Sequence, residues 1–335
     1  MLLLPYILAS LLCISPILSA KLGSTKSDVN LSKYNKYPDI ERYLKWINSS
    51  YDSVTLHRIG QTYENRSIYA LVIDLKNDAS LESTTNNPKQ DYLVISGMHA
   101  REYVPITSTL LIIDRLINDE KLDSKERELL LKYRFHFISV ANPDGYAYTT
   151  DVDRYFRKNR SPENCILKAN ETKCCRGVDL NRNFGYDFDA KSDSNACSHS
   201  FVGFRADSEP ETQAIEKYAS KIRPYIAVDV HSYGRFLLYP YAYHGFKLPP
   251  KMYYLRDKAN EIADFIKKKY NVQYKVGTVE DIVGYGANGS ALDYFYGQLG
   301  AKYSFAFEIT NDGFQPDIKV IPNAAKELFD MLALI

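Results

Sequence analysis

His99 and Glu102 stand three residues apart in Gly97-Met98-His99-Ala100-Arg101-Glu102, directly after the apolar run Tyr92-Leu93-Val94-Ile95. An imidazole nitrogen and a carboxylate oxygen converging where a strand gives way to a helix suit a zinc ion. In catalytic sites zinc takes three protein ligands and leaves a fourth position for water. The pair alone has a plain alternative, a histidine capping the helix and a glutamate in solvent. Two more groups occupy equivalent places. His231 follows Tyr225-Ile226-Ala227-Val228-Asp229-Val230, and Glu308 closes Tyr303-Ser304-Phe305-Ala306-Phe307. A carboxylate in such a run is costly to bury unless it has a partner or a task; otherwise it faces water from an edge strand. His136 alternates with aromatic residues and reads as a packed or surface side chain. His57, His199 and His244 lie in polar or aromatic loops and are read as lacking a nearby acidic partner.

The elements that must position these groups alternate along the chain. Ser67 to Asp74, Tyr92 to Ser96, Arg134 to Val140, Tyr225 to Val230 and Tyr303 to Ile309 read as strands. Ile106 to Asn118, Lys251 to Tyr270 and Pro322 to Ile335 carry apolar residues at helical spacing. Ser208-Glu209-Pro210-Glu211 reads as a capping box opening a helix that runs to Ile222. Asn142-Pro143-Asp144-Gly145 reads as a turn. Between Asp151 and Gly203 periodicity fades into a long polar stretch, the kind of segment from which binding surfaces are built. The alternation predicts an α/β fold, with a mixed, largely parallel central sheet and helices on both faces. Sites in such sheets lie beyond the carboxyl ends of the strands, where His99, Glu102, His231 and Glu308 fall.

The 335 residues are 45% hydrophobic and 25% charged, with formal net charge +1. That size supports one large globular unit with a full core, and the balanced charge argues against a nucleic-acid or membrane-surface partner. Met1 to Ala20 is apolar and uncharged, broken by Pro5 and Pro16, and ends in small residues. It reads as a secretory signal peptide rather than a membrane anchor. Cys13 lies within it, leaving Cys165, Cys174, Cys175 and Cys197, which in an exported protein predict two disulfides. Three pairings are open, and adjacent Cys174 and Cys175 are poorly placed to bond each other. No C-x-x-C spacing supports a four-thiolate zinc site. Sequons at Asn30, Asn48, Asn65, Asn170 and Asn288 fit the same compartment.

From Tyr34 to the C-terminus the chain resembles the secreted zinc metallocarboxypeptidases of the pancreatic carboxypeptidase A and B type. His99-Ala100-Arg101-Glu102 is similar to that family's first zinc motif, and His231-Ser232-Tyr233 to the segment bearing its third ligand. Asp179-Leu180-Asn181-Arg182-Asn183-Phe184 resembles the segment that grips a substrate's terminal carboxylate, and Arg154 to Arg160 the arginine segment beside the scissile carbonyl. Tyr285 to Tyr294 resembles the mobile tyrosine loop, and Phe305-Ala306-Phe307-Glu308 carries the family's glutamate.

The resemblance implies one Zn2+ per chain on His99, Glu102 and His231, with Glu308 taking the water's proton and later passing it to the leaving amine. It implies Arg157 at the oxyanion, and Arg182 with Asn181 and Tyr285 on the substrate's terminal carboxylate. Arg101 and Tyr233 would line the peptide cleft, and Asp179 would orient His99. It pairs Cys175 with Cys197, which leaves Cys165 for Cys174. Counting eight residues from Tyr285 puts Asp293 on the family's fixed aspartate and Leu292 on the specificity-pocket floor, with Leu238 and Ala306 in the wall. The implied activity is removal of aliphatic or aromatic C-terminal residues from peptide or protein C-termini by an exported, monomeric enzyme. Its destination is the extracellular space, a digestive lumen or a lysosome.

Departures accompany the match. One extra residue precedes Tyr285, the loop from Thr310 to Pro316 is short, and a glycan at Asn288 would stand in the tyrosine loop. Residues 21–33 form only a short N-terminal segment before a catalytic domain over 34–335. The family's folded inhibitory pro-segment is therefore expected to be missing and the protein active as made; a C-terminal β-sandwich is not expected either. The rival readings are a peptide-binding pseudoenzyme and a zinc deacylase of N-acyl amino acids. An H-x-x-E-H endoprotease is disfavoured because Tyr103 stands at the second histidine.

Overall fold

The computed structural model describes residues 29–75, 88–118, 122–168 and 171–335. The secretory reading of Met1 to Ala20 and the Asn170 sequon fall outside them. The chain enters with helix α1 (Tyr37–Ser50) and the hairpin β1 (Val54–Gln61) and β2 (Ser67–Ile73), followed by β3 (Gln90–Ser96). Next come α2 (Tyr103–Ile117), α3 (Ser124–Lys132), β4 (Tyr133–Ile138) and α4 (Pro143–Asp151). A small hairpin, β5 (Glu163–Lys168) and β6 (Glu171–Arg176), precedes α5 (Pro210–Ile222), β7 (Ile226–His231) and β8 (Phe236–Leu238). The rest is α6 (Tyr253–Tyr270), β9 (Lys275–Gly277), α7 (Val279–Val283), α8 (Ala291–Asp293) continuing as a π-turn, β10 (Tyr303–Glu308) and α9 (Ile321–Ala333).

Eight strands form one sheet in the order β1-β2-β4-β3-β7-β10-β8-β9. Its centre, β4-β3-β7-β10, is parallel, and antiparallel pairs flank it. Because strand residues alternate between faces, Tyr92 and Val94 of β3 join one core with α1, α2, α6 and α9, while Leu93 and Ile95 join another with α5. The mixed, largely parallel α/β sheet expected from the alternating pattern is present. Glu308 is not on an edge strand, since β10 runs between β7 and β8. No helix among the described residues is long and apolar enough to cross a membrane.

Three local readings are corrected. The segment at Asn142 is a helix start rather than a turn: the Asn142 side chain accepts from the Gly145 N–H at 2.9 Å and Pro143 opens α4. At α5 no capping box forms. Glu209, not Ser208, is the N-cap, without a side-chain cap bond, and the Ser208 hydroxyl donates to Glu209 Oε1 at 2.7 Å. Helix α2 begins at Tyr103, ahead of the expected Ile106, because Pro105 is tolerated in a first turn.

Candidate active site

The sheet register assembles the site. His231 lies opposite Glu308, and Glu308 opposite Phe236, across β7, β10 and β8. One rung lower, Asp229, Ala306 and Leu238 form a second row on the same face. His99 and Glu102 arrive from the turn after β3. There Gly97 sits at φ +70°, and a Cβ would come within 2.9 Å of Ile106, so only glycine fits. Glu102 is the N-cap of α2, which delivers its carboxylate beside His99.

All three candidate ligands are buried, and their donor atoms lie within 4.8 Å of one another. His99 Nδ1 is 2.9 Å from Glu102 Oε1, His231 Nδ1 is 3.0 Å from Glu102 Oε2, and the two Nδ1 atoms are 3.1 Å apart. The opposite ring nitrogens face carboxylates, His99 Nε2 at 3.1 Å from Asp179 and His231 Nε2 at 2.5 Å from Asp229. A neutral imidazole has one N–H and one lone pair. With both Nε2 atoms donating to carboxylates, both Nδ1 lone pairs face each other beside a carboxylate oxygen. That is repulsive on its own and is relieved by a cation at the centre. A tetrahedral zinc with arms of about 2.0–2.1 Å spaces its ligands about 3.3 Å apart, so the donor set fits.

The electrostatics agree. Burial pushes the Glu102 carboxyl up, yet the two histidines outweigh it and hold the group well below the usual range. For His231 burial favours the neutral ring, but Asp229 and Glu102 overcome it, so among protein groups alone the imidazole is held as a cation. Glu308 goes the other way: burial, with the Glu102 charge, raises it to about 8. The cluster calls for positive charge, and Glu308 awaits it to ionise.

Arg157 is anchored by Asp179, which accepts from its Nε at 3.0 Å and Nη2 at 2.9 Å while also facing His99. Arg182 donates to the Asn181 carbonyl at 2.7 Å and lines the cavity. Asn181 also lines the cavity, but its amide nitrogen is 2.9 Å from both Asp229 Oδ2 and His231 Nε2, and its oxygen accepts from the Ala291 N–H. Tyr285 stands at the rim, 61% exposed. Its loop is pinned by Gly289, where a Cβ would come within 2.4 Å of the Arg182 carbonyl. Tyr233 packs edge-on against Phe314, whose ring also carries the Arg101 guanidinium at 4.0 Å.

The cavity holds about 340 Å³. Its apolar lining includes Leu238, Ala242, Val279, Ala287, Leu292 and Ala306, with Phe236, Val283 and Phe314 beside them. Leu292 faces it; Asp293 does not, because its two oxygens accept the Ala242 and Tyr243 N–H groups at 2.8–3.2 Å. Arg101 is outside the lining, though beside Phe314, which is within it. Both disulfides are present, Cys165–Cys174 and Cys175–Cys197. His136 is buried between Asp91 and Tyr218. His244 does have an acidic partner, Glu280 at 2.8 Å, a contact invisible from chain order. The group missed at the sequence level is Asp229. Its signal, an acid inside an apolar strand, is the one that singled out Glu308.

The family model described as zinc carboxypeptidase matches residues 40–331. Human carboxypeptidase O is 31% identical over 90% of this chain and 78% of its own length. The carboxypeptidase A of Helicoverpa armigera superposes with TM-score 0.79 at 32% identity, covering 94% of this chain and 76% of that one. A Talaromyces marneffei protein named inactive metallocarboxypeptidase ecm14 is 29% identical over 93% of this chain, which spans 55% of that relative's length.

Proposed function

The chain belongs to the zinc carboxypeptidase family, and from that premise we propose that it is an exported exopeptidase that hydrolyses the last peptide bond of a chain. We propose further that it prefers an aliphatic or aromatic final residue. The observation that carries the reading is the His99–Glu102–His231 cluster placed one sheet position from Glu308, in a cavity shared with Arg157 and Arg182. His99, Glu102 and His231 would hold a zinc ion, which when bound would supply Lewis acidity to a water and to the scissile carbonyl. Glu308 accepts the proton of the attacking water and returns it to the departing amine. Arg157, held by Asp179, offers its remaining N–H groups to the oxyanion. Arg182, with Asn181 and Tyr285, receives the terminal carboxylate, which distinguishes an exopeptidase from an enzyme that cuts within chains. The final side chain then occupies the apolar floor around Leu292.

The relative named inactive raises a second reading, a protein that binds peptide C-termini without cleaving them. The complete ligand set, base and arginines support turnover over binding alone. Incubating the zinc-loaded protein with peptides that vary only in the last residue tests both readings. Turnover predicts release of the C-terminal amino acid, stopped by a chelator and restored by zinc. Tight peptide binding with no product would establish the second reading instead. Export draws support from the two disulfides and from the signal-like N-terminus.

A further inference from the structure

Asp229 is a charged side chain that the hydrolytic scheme above does not use. It is 1% exposed, in the middle of the parallel sheet. Two residues before His231 on one strand, it shares that residue's face. Its Oδ2 is 2.5 Å from His231 Nε2 and accepts from Asn181 Nδ2 at 2.9 Å, while Oδ1 has no hydrogen-bond partner. Among the described residues no lysine or arginine pairs with it; its only ion-pair contact is His231. Asp179, which backs the other histidine, is different in having Arg157 as counter-charge.

A buried carboxylate is costly unless paired, so Asp229 is tolerable only if the imidazole it touches carries or faces positive charge. Accepting the Nε2–H leaves the Nδ1 lone pair directed at the metal position and forbids the other tautomer. The same oxygen fixes Asn181. Since the Asn181 oxygen is held by the Ala291 N–H, its NH2 must face Asp229. Its nitrogen also stands 2.9 Å from His231 Nε2, which donates to the same carboxylate and cannot accept, so Asp229 is the acceptor that fixes this cavity-lining amide.

We propose that Asp229 is a positioning residue that holds His231 in its metal-ligating tautomer and locks the Asn181 amide. One carboxylate thereby couples metal retention to recognition of the substrate's terminus. The inference rests on the zinc exopeptidase reading above. The test compares wild type with Asp229→Asn and Asp229→Ala by three measurements: zinc affinity by chelator competition, KM against kcat on a peptide with a free C-terminus, and melting of the chelated proteins. In D229A zinc affinity falls about 10- to 100-fold, the span found when partners of ligating histidines are removed. KM also rises by more than kcat falls, because Asn181 is released. D229N keeps an oxygen at the shared position. It retains a near-wild-type KM while its zinc affinity drops by a smaller factor. The chelated variants melt close to chelated wild type, because the lost group served the metal rather than the fold. Zinc affinities within twofold of wild type in both variants would overturn the inference, as would chelated variants that melt well below chelated wild type. If wild type itself holds no zinc, the underlying site reading fails instead.

Discussion

A peptide ending in arginine is the sharpest probe of the cavity floor. A terminal Phe side chain carries on the order of 150–200 Å² of surface, which at about 25 cal/mol per Å² favours burial by roughly 4–5 kcal/mol. A terminal Arg can bury its stem against the same wall, but its guanidinium must leave water among Leu238, Ala242, Ala287, Leu292 and Ala306. A buried charge left without its partner costs about 3–5 kcal/mol. Asp293, the acid next to the floor residue, offers no rescue: its oxygens are committed to backbone N–H groups, and burial raises its carboxyl to about 7. At about 1.4 kcal/mol per tenfold, kcat/KM should favour Phe over Arg by about a hundredfold to a few thousandfold. Matched acyl-dipeptides differing only in the last residue, assayed for free amino acid, give the ratio directly. Leu292→Asp supplies the missing counter-charge and should shrink the ratio at least tenfold, by losing Phe and gaining Arg. Faster release of Arg by the wild-type protein would refute both the placement of Leu292 and the burial argument.

Other expectations follow from the same geometry. Glu308→Gln should keep zinc and fold but lose most turnover, because an amide cannot accept the water's proton, whereas His231→Ala should lose the metal; near-normal rates in the glutamine variant would remove Glu308 as the base. Zinc loading near pH 7 should release protons, since His231 is held cationic and Glu308 is raised to about 8 before the metal arrives; calorimetry in buffers of different ionisation enthalpy counts them, and zero release would contradict the charge argument. Burial raises Glu211 to about 8, so its folded value exceeds its unfolded one. Its contribution is then complete below about pH 4.5 and lost as pH rises to about 8. Glu211→Gln should therefore gain stability relative to wild type across that window, by a few kcal/mol at most, and a pH-independent difference in melting would count against it.

The site was legible in the sequence because each ligand follows an apolar run, and in an open α/β sheet those runs converge at their carboxyl ends. That placement marked His99, Glu102, His231 and Glu308 as candidates, while their reading as a ligand set and a base came from the family resemblance. What escaped depended on partners distant in the chain. Strand β1 was not read because most of its residues are exposed or half-buried, so no clean alternation marks it. Helix α4 hid behind Asn-Pro-Asp-Gly, whose residues serve a turn and a helix start equally well. His244 looked isolated because Glu280 reaches it from another loop. Asp229 carried the same warning as Glu308, yet its meaning depends on His231 Nε2 and Asn181, positions that only folding brings together.

The interior rungs that seat His231 and Glu308 also set the site's clock. Their strands are hydrogen-bonded on both sides, β7 between β3 and β10, and β10 between β7 and β8. Amides in such places exchange with solvent only when much of the molecule opens, while weakly packed segments open by themselves. Tyr285, exposed on a loop between the short helices α7 and α8, belongs to the second kind. Deuterium uptake at Val230 and Phe307 should therefore lag far behind uptake at Tyr285, a slow hearth behind a fast door. On the proposed exopeptidase reading, peptides would then enter and leave at the pace of the loop while the strands carrying His231 and Glu308 stay shut to fraying.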